Sequence, residues 1–222
     1  MSAFSRGYGI LAVAGLLVTA GCLRKEVTHT IYVSPASVEW SAIEKDVRSD
    51  DTDAATRLLE EQDYLLGARA GQHGVAKALR AIGATRIDTT ILRRDRPFTV
   101  VTAGRFSDLG ELARALMAAA RVRGDASVER DGCTRTFRAW VDPDSASSGE
   151  SDALADLFGE WSTYRLVLAD GRFVRAEGFD IEDDGAVATP ATPGAGEDGI
   201  VRVSLVWSEG WCAPATGLRD PS

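Results

Sequence analysis

The sequence predicts an α+β fold, with an antiparallel sheet built from successive hairpins, joined through helices packed on one face. Three observations carry that expectation. Short runs of β-branched and aromatic residues come in pairs, each pair split by Gly, Pro, Asp or Ser. Between the pairs stand stretches with apolar residues at spacings of three and four, headed by Ser and Asp. Beyond residue 22, no apolar run is long enough to cross a bilayer as a helix. Residues 28–212 read as one globular domain followed by a tail, 213–222. Two smaller sheets divided near 143–150 are the alternative.

Leu23 to Val27 read as a short tether over 22–27. The first hairpin pairs Thr28–Val33 with Val38–Ala42 across Ser34-Pro35-Ala36-Ser37, where Pro35 presets a turn φ. Ser49-Asp50-Asp51-Thr52-Asp53 then supplies caps for one long helix, kinked at most, from Ala54 to Ile82. Its inward face is Ala54, Leu58, Leu65, Ala68, Val75, Leu79 and Ile82, and Gly83 stops it. Gly67, Gly71 and Gly74 lie inside it, each costing roughly 1 kcal/mol against Ala. A helix backbone lying close against the sheet would explain them. Thr85–Leu92 and Phe98–Ala103 form the second hairpin across Arg93-Arg94-Asp95-Arg96-Pro97. Ser107-Asp108 caps a helix from Leu109 to about Arg121, with Leu112, Leu116 and Ala120 inward, Glu111 completing a capping box and Gly124 ending it. Ser127–Arg130 and Thr134–Val141 pair across Asp131-Gly132.

Pro143 through Gly149 reads as a polar loop, and Ser151 caps a shorter helix with Leu154, Leu157 and Phe158 inward. Tyr164–Leu168 and Arg172–Phe179 are expected to pair across Asp170-Gly171, the strongest short-range turn signal in the chain. Residues 183–199, rich in Pro, Gly and Ala, read as a flexible loop. Ile200–Trp207 returns as the last strand. The units differ in length, so the rhythm is architectural and not a sequence repeat.

The N-terminus says where the protein lives. Arg6 supplies a positive start, Tyr8 to Val18 carry no charge, and Val18-Thr19-Ala20-Gly21-Cys22 puts small residues directly before a cysteine. This stretch resembles the signal peptide and lipobox of bacterial lipoproteins, although that family has Leu where this chain has Thr19. The resemblance implies that residues 1–21 are removed, that Cys22 becomes a lipidated N-terminus, and that a palmitate-bearing anchor holds the chain to a membrane of the cell envelope, facing the periplasm. By the enterobacterial sorting rule, Leu23 after the cysteine, in place of Asp, implies the outer membrane. An uncleaved anchor and an ordinary secretory signal are the alternatives.

Removing 1–21 takes away one arginine and no acid, leaving 24 basic against 33 acidic residues, a net charge of −9. So acidic a body argues against a nucleic-acid partner and against purely electrostatic docking on anionic lipid. With Cys22 assigned to lipid, Cys133 and Cys212 remain, either a candidate disulfide in an oxidising compartment or two separate free thiols.

Signals for chemistry are few. The chain lacks H-E-x-x-H, G-x-S-x-G, a phosphate-binding lysine loop and C-x-x-C. Of its two histidines, His29 reads as a partly buried strand residue and His73, among the helix glycines, as a surface or packing residue. Asp180-x-Glu182-x-Asp184-Gly185 imitates the start of a calcium loop, but position twelve is Ala191 where a bidentate Glu belongs. No metal or other cofactor is expected. Trp40, Trp140 and Trp207 are expected in the core, which leaves Trp161 and Trp211 as the tryptophans to consider for stacking a glycan. The leading expectation is a non-catalytic binding or structural lipoprotein whose partners are the membrane and an envelope protein or glycan. A carrier for an apolar ligand is second, and an envelope hydrolase without a local motif is third.

Overall fold

The computed structural model describes residues 23–145, 162–191 and 196–210. Eleven strands and three helices follow one another: β1 (Leu23–Val33), β2 (Val38–Ser49), α1 (Ala54–Arg69), α2 (Gly74–Ala81), β3 (Arg86–Arg93), β4 (Phe98–Phe106), α3 (Leu109–Ala119), β5 (Arg123–Asp131), β6 (Thr134–Asp142), β7 (Ser162–Leu168), β8 (Arg172–Glu177), β9 (Phe179–Ile181), β10 (Val187–Pro190) and β11 (Val201–Ser208). They build a seven-stranded sheet, β3-β4-β2-β1-β7-β10-β9, and a four-stranded sheet, β5-β6-β11-β8. The fold is α+β and largely antiparallel, as expected. There are two sheets, however, and they interleave along the chain. The pairing of β1 with β7, with Val27 opposite Ser162 and Val33 opposite Leu168, is parallel.

Strand alternation decides which face is buried. In the large sheet, Val27, Ile31 and Val33 of β1 share a face with Val38, Trp40 and Ala42 of β2, and all six are buried. Opposite that face pack Val75, Ala78 and Leu79 of α2 with its C-cap Ile82, and Leu109, Leu112 and Met117 of α3. Ala126, Phe137, Phe173, Leu205 and Trp207 of the four-stranded sheet complete one continuous core. Helix entries follow the caps read from sequence. Asp53 Oδ2 accepts the Thr56 N–H at 2.7 Å and Asp108 Oδ1 the Glu111 N–H at 2.8 Å. Glu111 reaches back past the Asp108 cap and accepts the Ser107 N–H at 2.8 Å, one residue earlier than a capping box requires.

Several expectations are corrected. The tether is a strand, since Leu23 already pairs with Ser49 and the pairing continues through β1 with a register shift between Arg24 and Glu26. The long helix is two, α1 and α2. Gly71 has φ +62° and ends α1 in the left-handed conformation that favours glycine, and a Cβ there would meet nothing within 4 Å. The glycines therefore mark a break and not a close approach to the sheet. Gly71→Ala is expected to cost about 1 kcal/mol through backbone strain alone, read as a lower midpoint with unchanged slope in urea unfolding. An unchanged midpoint would show that the break needs no left-handed residue.

Gly124 does not end a helix. It lies inside β5, where a Cβ would overlap the Trp140 carbonyl and the Met117 sulfur. Asp170-Gly171 does not join a hairpin either, because β7 lies in the large sheet and β8 in the small one. Gly171, at φ +106°, passes so close to Ser208 that a Cβ would overlap its carbonyl oxygen. The glycine serves a crossing between sheets. The flexible loop expected over 183–199 contains β10, which pairs with β7 and β9 and buries Ala188 completely. The helix expected from Ser151 lies outside the described residues.

Candidate functional site

Both histidines are deeper than their sequence context suggests. His29 is fully buried on the core face of β1. The Trp40 indole N–H donates to its Nδ1 at 2.9 Å, and Tyr164 of β7 stacks on its ring at 4.6 Å. A ring nitrogen that accepts from indole carries no proton, so the imidazole proton is on Nε2. The cluster ties β1, β2 and β7 together at the one parallel pairing of the large sheet.

His73 caps α2 and points at the sheet. Its Nε2 lies 3.2 Å from Glu44 Oε2 of β2 and 2.9 Å from Thr102 Oγ1 of β4. The other carboxylate oxygen of Glu44 accepts from Lys25 Nζ of β1 at 2.8 Å. Tyr64 of α1 closes the group edge-on, its ring 6.0 Å from the imidazole. Burial pushes the Glu44 carboxyl up, but the His73 hydrogen bond and the Lys25 ammonium outweigh it and hold the pKa at about 2. Glu44 is a buried carboxylate with a charge partner.

A Thr, a His and a Glu within hydrogen-bond reach invite comparison with a nucleophile triad, and the geometry rejects it. In a triad the carboxylate and the hydroxyl occupy opposite ring nitrogens. Here both address Nε2, while Nδ1 has no hydrogen-bond partner among the described residues. Thr102 and Glu44 are both 0 % exposed, so no substrate reaches the hydroxyl. The cluster locks α1, α2, β1, β2 and β4 to one another. One signal for it was present in the sequence: Val38, Trp40, Ala42 and Glu44 are in phase along one strand, which places a carboxylate on the buried face.

The open polar geometry lies at one end of the large sheet. Arg24, Arg48, Ser49, Asp50, Asp51, Arg57, Arg96 and Pro97 line a shallow cleft of about 440 Å³ there. The start of β1, the end of β2 with its connection into α1, the first turn of α1 and the β3–β4 turn meet at it. Arg24 pairs with Asp50 at 2.9 Å. Arg96 donates to Glu61 Oε1 at 2.8 Å and to the Ser49 carbonyl at 3.0 Å, and Glu61 also accepts the Ser49 N–H. A second open cleft crosses the outer face of the four-stranded sheet, past Arg138, Trp140, Arg175 and Arg202. Trp140, expected in the core, stands on that outer face at 36 % exposure, while Trp40 and Trp207 are buried.

Of the residues singled out from sequence, Cys22, Cys212, Trp161 and Trp211 lie outside the described residues. Cys133 is disulfide-bonded. Asp180 lies in β9, opposite Thr189, while Glu182, Asp184 and Gly185 form the turn into β10, with Asp184 Oδ1 accepting the Ala186 N–H at 2.8 Å. Among the described residues, no group of three or more His, Cys, Asp or Glu side chains is placed to hold a metal ion.

No family profile matches the chain, and no curated protein matches it. Among solved structures, the folded domain of the Mycobacterium tuberculosis protein LppM, determined by NMR, is similar to this chain. It has a TM-score of 0.37 and 16 % identity, covering 88 % of this chain and 95 % of that one. No functional residue is carried over from so distant a likeness.

Proposed function

We propose that the chain is a lipoprotein of the bacterial cell envelope, held by acyl chains on Cys22, whose folded domain binds or bridges and does not catalyse. The observation that carries this is the charge-free stretch Tyr8–Val18 leading through small residues into Cys22. The burial of both histidines supports the non-catalytic reading, since neither is open to a reactant. The two clefts are open and rimmed by charge, which ranks an apolar-ligand carrier lower. The lipoprotein reading puts the domain on the periplasmic side, and by analogy with enterobacterial sorting Leu23 after Cys22 supports the outer membrane. The mass of the mature N-terminal peptide tests the proposal. Acylated Cys22 as first residue is the expected result, and a peptide still carrying residues 1–21 overturns it.

We assign the disulfide of Cys133 to Cys212. Glu209 N–H donates to the Cys133 carbonyl at 3.0 Å, so the chain leaves the small sheet beside Cys133 with three residues in which to reach it, at most ~10 Å of extended backbone. In the chain-entropy model, closing so long a loop contributes up to ~4–5 kcal/mol. Alkylation of the unfolded, unreduced protein is expected to add no label to either cysteine, and labelling of Cys212 would reject the pairing.

A further inference from the structure

Helix α1 buries a glutamate and exposes leucines. At 100° per residue, Arg57, Glu61, Tyr64 and Ala68 form its inward stripe. Glu61 is 6 % exposed and Ala68 0 %. Leu58, Leu59 and Leu66 lie on the outward side at 56 %, 61 % and 60 % exposure. A single exposed leucine needs no explanation, but three on one helix, interspersed with the exposed Gln62 and Asp63, make a patch that a partner would cover.

The start of β1 indicates which partner. Leu23, the first residue of β1, follows Cys22 by one Cα step of about 3.8 Å, and it pairs with Ser49, just ahead of α1. If Cys22 carries the anchor, no spacer lifts this end of the sheet from the bilayer. Arg57, in the first turns of α1, lines the same cleft as Arg24 and Arg96, which places the start of α1 and the β3–β4 turn at that end. Arg48, Arg93 and Arg94 are exposed there, and no salt bridge holds them to a carboxylate among the described residues. Asp50, Asp51, Asp53, Asp63 and Asp95 share the region, so apolar contact leads and the arginines offset these acids. Leucines set among Gln62 and Asp63 and flanked by arginines suit the headgroup layer, with leucines at the upper acyl carbons and guanidiniums on phosphates.

We propose that Leu58, Leu59 and Leu66 of α1 lie in the interface of the membrane to which Cys22 is anchored, so that the domain docks on the bilayer in a fixed orientation. This rests on the lipoprotein reading. The test uses the full lipidated protein, its acyl mass confirmed, in vesicles of phosphatidylethanolamine and phosphatidylglycerol. Nitroxides are placed singly at Leu59→Cys and Leu66→Cys, with Ala36→Cys in the β1–β2 turn at the other end of the sheet as reference. All three positions are exposed, and an unchanged melting temperature confirms the fold. The ratio of oxygen to nickel-chelate accessibility at 59 and 66 is expected to exceed that at 36 by about fivefold or more, as burial in the interface requires. Equal ratios on a vesicle-bound protein overturn the docking and leave the anchor intact. Spin–spin broadening at 59 and 66 assigns the stripe to a second copy and also overturns it. Absence of acyl mass removes both readings.

Discussion

Glu44→Gln is expected to lower the stability of the folded domain by about 2–4 kcal/mol, since it leaves Lys25 and His73 facing a neutral amide in the core. Loss of one member of a buried ion pair is costly because the other cannot regain its water. Lys25 retains 23 % side-chain exposure and recovers part of that loss, which keeps the figure below the top of the range for such pairs. At 2–4 °C per kcal/mol for a domain of this size, the melting temperature falls by about 5–15 °C. Glu39→Gln is the control, because its pair with Arg105 is 41 % and 49 % exposed and is expected to change stability by less than about 1 kcal/mol. Equal effects of the two substitutions would show that burial does not set the value of the Glu44 cluster.

The same carboxylate sets an acid limit. Its pKa is lowered from 4.5 to about 2 by the native partners. A group depressed in the folded state contributes fully above its unfolded value, and loses that contribution as pH falls toward the folded value. The stability difference between the parent and Glu44→Gln is therefore expected to be constant above about pH 4.5 and to close toward pH 2. The drop is worth on the order of 3 kcal/mol. Parallel loss in both proteins across that window would assign the acid response to other carboxylates.

Cys22→Ser is expected to abolish the mature, membrane-held form. A hydroxyl cannot form the thioether on which the lipobox pathway depends, so the precursor should persist uncut or be mislocalised. The lipoprotein family's anchor carries three acyl chains. At ~0.8 kcal/mol per buried CH₂, that is far beyond the reversible binding of a single chain, so the parent should not be released by salt or alkaline washes. Immunoblots of washed membranes read both outcomes. A Cys22→Ser protein of mature size that still resists washing would overturn the lipid anchor.

What the sequence by itself determined is local. The Asp53 and Asp108 caps, the Pro35 turn, the start of β2 and the Asp131-Gly132 hairpin each depend on residues a few positions apart, and each is found where it was read. The alternation Val38, Trp40, Ala42, Glu44 even placed a carboxylate on the buried face, although nothing nearby named its partners. Tertiary structure decided the rest. His73 and Thr102 reach Glu44 from distant elements, and β7 pairs with β1 across more than a hundred residues, beyond the range of any local signal. Asp170-Gly171 has hairpin chemistry, but its glycine is taken by the approach to Ser208, which turns a hairpin signal into a crossing between sheets. In α1 the leucine spacing indicated an inward face, yet Glu61 took the core side because Arg96 and the Ser49 backbone satisfy its charge there. Burial follows whichever side of a helix finds its partners, and for a polar side chain those partners are set by the whole fold.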